Sequence, residues 1–440
     1  MKKSVKRLLA GSAAAAAAAV VWKNRESPKL EPVFDQAKKC LYRANSLVMD
    51  TAIKLIPGLF PLPRTEIGCG SRKLLPQVLK ELGISHVMVV TGPSIGKRLV
   101  PPIVEDLENQ GIACTVFAET EANPSVTTVE SIRSLYLDAG CDGFLAIGGG
   151  SPMDAAKVAA ARIAKPHTPI GKMAGTLRVL AKLPPVVCVP TTAGTGSETT
   201  LAAVITDSET HYKYPINDFA LIPDYAVLDA ELTVGLPPQI TATTGMDALT
   251  HAVEAYIGRS TNRLTRAMAE EAVALIAHNL QTAYRDGGNL EARQRMLRAA
   301  YCAGIAFTRS YVGYVHGIAH SLGGQYGIAH GLANAVILPH MLRRYGTSCS
   351  AKLARLAEIA GLVPPGTDEN AAAERFIDWV ESMNASFSLP TGFAAIREED
   401  IPQMARRADR ESNPLYPVPM LMDQQELEAV YHELMRKEEA

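Results

Sequence analysis

Five short runs rich in β-branched and aromatic residues, HVMVVTG (86–92), IACTVFA (112–118), GFLAIGGG (143–150), PPVVCVPT (184–191) and YAVLDA (225–230), alternate with segments of helical spacing. Strands separated by helices predict an α/β fold with a parallel sheet, because a parallel neighbour can be reached only through a long crossover, usually a helix. From about Pro237 these runs stop, and the alanine-, leucine- and methionine-rich remainder keeps helical spacing, which predicts an all-α second half. A chain of 440 residues is long enough for two cores. The expected organisation is an N-terminal extension over 1–60, an α/β domain over 61–236 and an all-helical domain over 237–440.

The extension opens with Lys2, Lys3, Lys6 and Arg7, followed by an uncharged, alanine-rich run from Leu8 to Trp22. At ~1.5 Å per residue that run makes a helix of roughly 22 Å, short of the ~30 Å hydrocarbon core, so no membrane span is expected. It reads as a helical or disordered extension, with a weak membrane-surface tether and a cleaved secretory signal as alternatives. A polar linker, NRESPKLEP, leads into an amphipathic stretch over about 34–56 that PGLFPLPRT closes. Lys+Arg 44 against Asp+Glu 45 leaves no overall field to attract nucleic acid, so small-molecule partners are expected. The cysteines at 40, 69, 114, 141, 188, 302 and 349 are odd in number and form no C-x-x-C pair, which fits reduced thiols and a cytoplasmic location.

FLAIGGGSPMDAAK places a strand, a glycine turn and a helix start in one stretch. Ser151 is the expected cap, Pro152 suits the first helical position, and Asp154 lies three residues after the cap in a capping-box arrangement. Gly148, Gly149 and Gly150 let the backbone approach a ligand, and amides backed by a helix dipole suit a pyrophosphate. A tight turn without a ligand is the plain alternative. PTTAGTGSE (190–198) adds the hydroxyls of Thr191, Thr192, Thr195 and Ser197, suited to a nicotinamide, ribose or phosphate edge, although it lacks the full G-x-G-x-x-G fingerprint.

In GMDALTHAVEAY, Asp247 and His251 are four apart and share a helix face. In VHGIAHSLGGQYGIAHGLANAVILPH, His316 and His330 flank a glycine-punctuated turn. Three imidazoles and one carboxylate would suit a divalent first-row transition metal better than calcium or magnesium. His320, one turn after His316, could reach the same cavity without being a ligand, and His340 reads as structural.

These four motifs, in this order and at these separations, resemble the iron-containing (group III) alcohol dehydrogenases over about residues 60–436. The resemblance implies a dinucleotide-binding α/β domain and a helical metal and substrate domain, with nicotinamide and metal meeting in the cleft between them. It places the metal ligands on Asp247, His251, His316 and His330. His320 matches a histidine near the nicotinamide that assists proton movement. Cofactor contacts fall on Asn123 in the NPS turn, on Gly149, Gly150 and Ser151, on Thr191, Thr192 and Thr195, and on Lys213 in HYKYP; Asp154 is grouped with the glycine turn.

One position departs from the family pattern. NAD-preferring members often carry an aspartate after the first strand, where this chain has Gly92 in VVTGPSIGKR. Without that carboxylate a 2′-phosphate is not repelled, and Lys97 or Arg98 could attract one, so NAD and NADP both remain open. The implied activity is reversible hydride transfer between NAD(P) and a primary or secondary alcohol/aldehyde pair, with Fe2+ polarising the substrate oxygen; the donors also suit Zn2+, which generally binds such ligands more tightly. A hydroxyacid–oxoacid transhydrogenase, a dehydroquinate synthase-like lyase and a scaffold without catalysis are the alternatives. Members of the family are commonly dimers or larger, so a homo-oligomer is expected.

Overall fold

A computed structural model of the chain describes residues 39–44, 60–207 and 213–435. The alanine run, the linker and most of the 34–56 stretch lie outside the described residues. Residues 39–44 are helical, and the Arg43 guanidinium donates to the carbonyls of Val418 and Pro419 at 2.7 and 3.0 Å.

Strands β1 (Arg64–Ile67), β2 (His86–Val90), β3 (Ala113–Phe117), β4 (Gly143–Gly148), β5 (Gly175–Thr176), β6 (Val186–Pro190), β7 (Ala202–Thr206), β8 (Lys213–Asn217) and β9 (Tyr225–Leu228) form two sheets. The larger is parallel throughout, in the order β1-β9-β6-β4-β2-β3. All five expected runs lie in it. Every residue of β4, β6 and β9 is buried, because helices cover both faces, and that is why these strands read as unbroken apolar runs. Alternate residues feed opposite cores: Met88, Val90, Phe144 and Ala146 enter one, and Val87, Val89, Leu145 and Ile147 the other.

Four strands lie outside those runs. β1 is a four-residue sheet edge carrying Arg64 and Glu66, and charge on an edge hides a strand from an apolar reading. The smaller sheet, β5-β8-β7, is half-buried; β7 and β8 alternate buried and partly exposed residues, a period-two signal that a search for solid apolar runs passes over.

The helices that build the site are α1 (Pro93–Arg98), α2 (Gly150–Ala164), α3 (Pro238–Ile257), α4 (Arg263–Arg285), α5 (Leu290–Ser310), α6 (Tyr314–Tyr326), α7 (His330–Tyr345), α8 (Ile401–Ser412) and α9 (Gln424–Leu434). From α3 onward they surround one alanine-rich core. Small residues bring their axes close: a Cβ at Gly245 of α3 would strike Leu280 of α4, and Gly331 at the start of α7 has room for none beside the Thr243 carbonyl of α3, 2.6 Å away. Among the described residues no helix is long and apolar enough to cross a membrane.

Candidate metal and cofactor site

The donor atoms of Asp247, His251, His316 and His330 lie within 4.8 Å of one another, a grouping that could hold a metal ion. α3 supplies the first two on one face, α6 carries His316 in its first turn, and His330 opens α7. The bare Gly331 is what lets His330 sit against α3, since a Cβ there would stand 2.6 Å from the Thr243 carbonyl. Asp247, His251 and His316 are buried, and His330 is half-buried.

The Asn334 side chain tests whether these residues fit a cation. Its amide Nδ2 lies 2.6 Å from Asp247 Oδ1, 3.1 Å from His330 Nε2 and 3.2 Å from His316 Nε2, so a single electropositive group faces the lone pairs of three donors. Those lone pairs converge, as they must for one ion. Three nitrogens and one oxygen suit a first-row divalent metal. Because Asn334 braces Asp247, Asn334→Leu is expected to weaken metal affinity by roughly 10–100-fold, the usual cost of losing a residue that orients a ligand. Competition with a chromophoric chelator measures it, and an unchanged affinity would remove Asn334 from the site.

Glu254, on the face of α3 that carries Asp247 and His251, is buried at 3 % exposure and accepts three hydrogen bonds. They come from the N–H of Gly313 at 2.8 Å, the N–H of Val315 at 2.9 Å and His316 Nδ1 at 2.6 Å. Its carboxylate therefore caps α6 from another helix, in place of the side chain that Gly313 lacks. It also holds the Nδ1 proton of His316 and turns Nε2 toward Asp247, the arrangement by which a carboxylate orients a metal-binding imidazole. Burial pushes the Glu254 pKa upward, and its N–H donors pull it back toward the carboxylate that accepts all three bonds. Burial also lowers His251, lowers His330 to about 4 and takes His316 well below the usual imidazole range. All three thus stay neutral near pH 7, the form in which imidazole ligates a metal.

His320 stacks on His330 with ring centroids 5.1 Å apart. Its Nδ1 lies 2.6 Å from Glu411 Oε1; burial alone would lower its pKa, and the Glu411 charge reverses the shift upward. Lys213 Nζ reaches α6 on the same side, 3.5 Å from where a Gly323 Cβ would stand, and burial lowers its pKa.

The expected cofactor motifs meet at the carboxyl ends of β4 and β6, where Gly148 and Pro190 are register partners. Gly148 has φ 154, and a Cβ on it would lie 2.8 Å from Pro152 Cγ. A Cβ on Gly149 would come within 3.2 Å of Thr192 Oγ1, and one on Gly150 within 3.1 Å of Thr195 Cγ2. The Thr191 N–H donates to the Gly148 carbonyl at 2.8 Å, and the Asn123 N–H to Ser151 Oγ at 3.3 Å. The NPS turn, the glycine turn and the Thr-rich loop therefore form one surface.

Two expectations about the glycine turn are corrected. Ser151 is not the cap: α2 starts at Gly150 with Gly149 as N-cap and no side-chain hydrogen bond. The capping box is absent too, because Asp154 turns away and accepts from Ser197 Oγ at 2.8 Å and from the Val204 N–H at 2.9 Å. The helix begins before the Ser-Pro pair, and its first-turn amides are left without a side-chain acceptor, the state in which a helix start takes an anion from outside. Asp154 supports the neighbouring loop from behind. Gly92 is the N-cap of α1 at the carboxyl end of β2, the strand next to β4 in the sheet, and the Arg98 guanidinium donates to the Gly235 carbonyl at 3.3 Å.

Lys157 was not among the expected site residues, yet its fully buried Nζ gathers the loop. Its three N–H groups are shared among the Ser197 carbonyl at 2.5 Å and Oγ at 2.9 Å, the Thr200 carbonyl at 3.2 Å and Oγ1 at 3.0 Å, and the Ala202 carbonyl at 3.1 Å. The loop's other side presses on the helical half: a Cβ on Gly194 would lie 2.7 Å from Thr244 Cβ in α3, and one on Gly196 2.7 Å from the Ala300 carbonyl in α5.

A parallel α/β sheet with an anion-ready helix start, set beside a His-and-Asp cluster, is the arrangement of a metal-dependent nicotinamide oxidoreductase. Residues 63–230 match the model for iron-containing alcohol dehydrogenase, and residues 241–435 match that for the C-terminal part of the Fe-containing alcohol dehydrogenase family. The chain belongs to the iron-containing alcohol dehydrogenase family. It is 36% identical to the NAD-dependent methanol dehydrogenase of Bacillus methanolicus over 79% of this chain and 91% of that one. It is 38% identical to the 1,3-propanediol dehydrogenase of Klebsiella pneumoniae over 80% of this chain and 92% of that one. The solved structure of a 1,3-propanediol oxidoreductase superposes with TM-score 0.81 at 35% identity, covering 86% of this chain and 99% of that one. The protein is thus an alcohol dehydrogenase/aldehyde reductase, and the transhydrogenase and lyase alternatives are not favoured.

Proposed function

We propose that Asp247, His251, His316 and His330 hold Fe2+, or Zn2+ where it competes, and that the protein interconverts a small primary or secondary alcohol and its carbonyl product using NAD or NADP. The observation that carries this reading is the mutual approach of the four donors within 4.8 Å. When bound, the metal supplies Lewis-acid polarisation of the substrate oxygen, and the nicotinamide takes or gives the hydride. The chain's own residues do the rest. The α2 amides and Asn123 hold the dinucleotide phosphates, Thr191, Thr192 and Thr195 fix its nicotinamide end, and Lys213 lies beside the ring. Asp154 and Lys157 keep the Thr-rich loop in shape. Glu254 and Asn334 hold the metal ligands in place, and His320 exchanges the proton that the hydroxyl loses or the carbonyl gains. Homo-oligomers, a cytoplasmic location and a small-molecule substrate complete the proposal. Relatives named for methanol, 1,3-propanediol and lactaldehyde support a short alcohol or diol, and relatives named for choline and for long-chain alcohols mark the other end of the range.

The test is nicotinamide absorbance with a panel of short alcohols and aldehydes, both cofactors, and protein loaded anaerobically with Fe2+ or Zn2+. Net metal-dependent formation of NADH or NADPH is expected. Hydrogen transfer between a hydroxyacid and an oxoacid without net nicotinamide turnover would overturn the reading.

Gly92→Asp bears on cofactor choice. Gly92 is extended, and a Cβ would sit 3.1 Å from the Thr120 carbonyl, so the side chain is accepted after a small shift. Its carboxylate is expected to raise the NAD/NADP ratio of kcat/KM by about tenfold, the effect of roughly 1.4 kcal/mol of charge repulsion. An unchanged ratio would place this position away from the ribose.

A further inference from the structure

Helix α6 carries His316 and His320 one turn apart, and α8 packs against it where Gly317 leaves no room for a Cβ beside Ser412. That contact delivers Glu411 to His320, with Nδ1 and Oε1 2.6 Å apart. The same Oε1 accepts the Tyr416 hydroxyl at 2.9 Å, so the carboxylate is held from both sides. His320 in turn faces His330 with rings stacked at 5.1 Å, and His316 edge-on at 6.1 Å.

We propose that Glu411, anchored by Tyr416, is the positioning residue of the site: it fixes His320 as the Nδ1–H tautomer and leaves Nε2 as the nitrogen that faces the reacting atoms. A carboxylate can only accept, so a 2.6 Å contact assigns the proton to Nδ1. An imidazole free to change tautomer would spend part of its time offering an N–H where the reaction needs a lone pair, and a ring free to rotate would offer neither nitrogen at a constant place. Glu411 removes both freedoms. It does not touch the metal donors, which Glu254 and Asn334 hold independently, so its loss affects the step that His320 serves without loosening the ion. This role rests on the proposed part of His320 in alcohol oxidation.

The test uses full-length protein loaded with zinc, 15N-labelled at histidine, with the His320 signals assigned by their absence in His320→Gln. In the wild type, at a pH where the ring is neutral, Nδ1 is expected to be protonated and Nε2 not. In Glu411→Gln, and more fully in Glu411→Ala, both nitrogens are expected to move to averaged shifts as the tautomers mix. Metal content and KM for the alcohol should stay unchanged, while kcat falls by roughly 10^2-fold, the low end of what a positioned acid–base group contributes. An unaltered Nδ1–H tautomer in both variants, or wild-type kcat in Glu411→Ala, overturns the proposal. Should the wild type itself turn over no alcohol, the functional reading fails, and the histidine shifts still decide what Glu411 does.

Discussion

His316→Ala is expected to purify with little bound metal and to lose roughly 10^3-fold or more in turnover, the value of a Lewis-acid contribution of several kcal/mol. The loss is large because His316 joins two systems. Its Nε2 is one of the converging donors, and its Nδ1 carries the proton that Glu254 accepts at 2.6 Å. Truncation removes one donor from the ion and leaves Glu254 with its backbone partners alone. The latter costs about 1–3 kcal/mol, as for other buried groups that lose a partner, and the other two N–H donors keep α6 capped. The fold is therefore expected to survive with a lowered unfolding midpoint. Elemental analysis, kcat and urea unfolding on one preparation read the three effects. His340→Ala serves as control: His340 meets the Thr391 carbonyl at 3.2 Å, outside the donor cluster, and the variant is expected to keep metal content and rate. Full metal content in His316→Ala would remove this residue from the ion's shell.

Lys157→Met is expected to destabilise the protein by about 3–5 kcal/mol and to weaken dinucleotide binding together with it. The substitution keeps the length of the side chain and deletes a buried charge whose partners cannot reach water, the case in which breaking a buried polar cluster costs most. Three carbonyls and two hydroxyls would lose their shared donor. Asp154 would lose the nearby positive charge that offsets its burial. The loop released in this way is the one whose Thr192 and Thr195 meet the glycine turn. Urea unfolding gives the first effect, and fluorescence titration with NADH at a temperature where the variant is fully folded gives the second. A variant as stable as wild type, with the same NADH affinity, would show that the loop holds its shape without the lysine.

The sequence was informative where chemistry follows local spacing. Asp247 and His251 four apart, and His316 and His320 four apart, declare a shared helix face, and the structure puts each pair there. The same rule could have found more, because Glu254 continues the Asp247–His251 face and Asn334 lies four residues after His330. Neither drew notice because a search for metal donors passes over an amide, and over a carboxylate that binds an imidazole proton. Glu411 carried no signal: it lies 91 residues from His320, and only the packing of α8 on α6 brings them together. The glycine turn was legible as a helix start but not in detail, since Ser-Pro marked a start that the bare Gly149 provides instead. The apolar strands were plain because both faces are covered, whereas the polar edge β1 and the half-exposed β7 and β8 were not.

The Thr-rich loop touches α3 through Gly194 and α5 through Gly196 on one side and the glycine turn through Thr192 and Thr195 on the other. A segment gripped on two sides transmits stiffness, so a dinucleotide held on the threonines as proposed would also quiet the helix bearing Asp247 and His251. Thermodynamic reciprocity then requires that the ion favour the dinucleotide by the same factor with which the dinucleotide favours the ion. Two ligands that never exchange an atom would thus share one equilibrium.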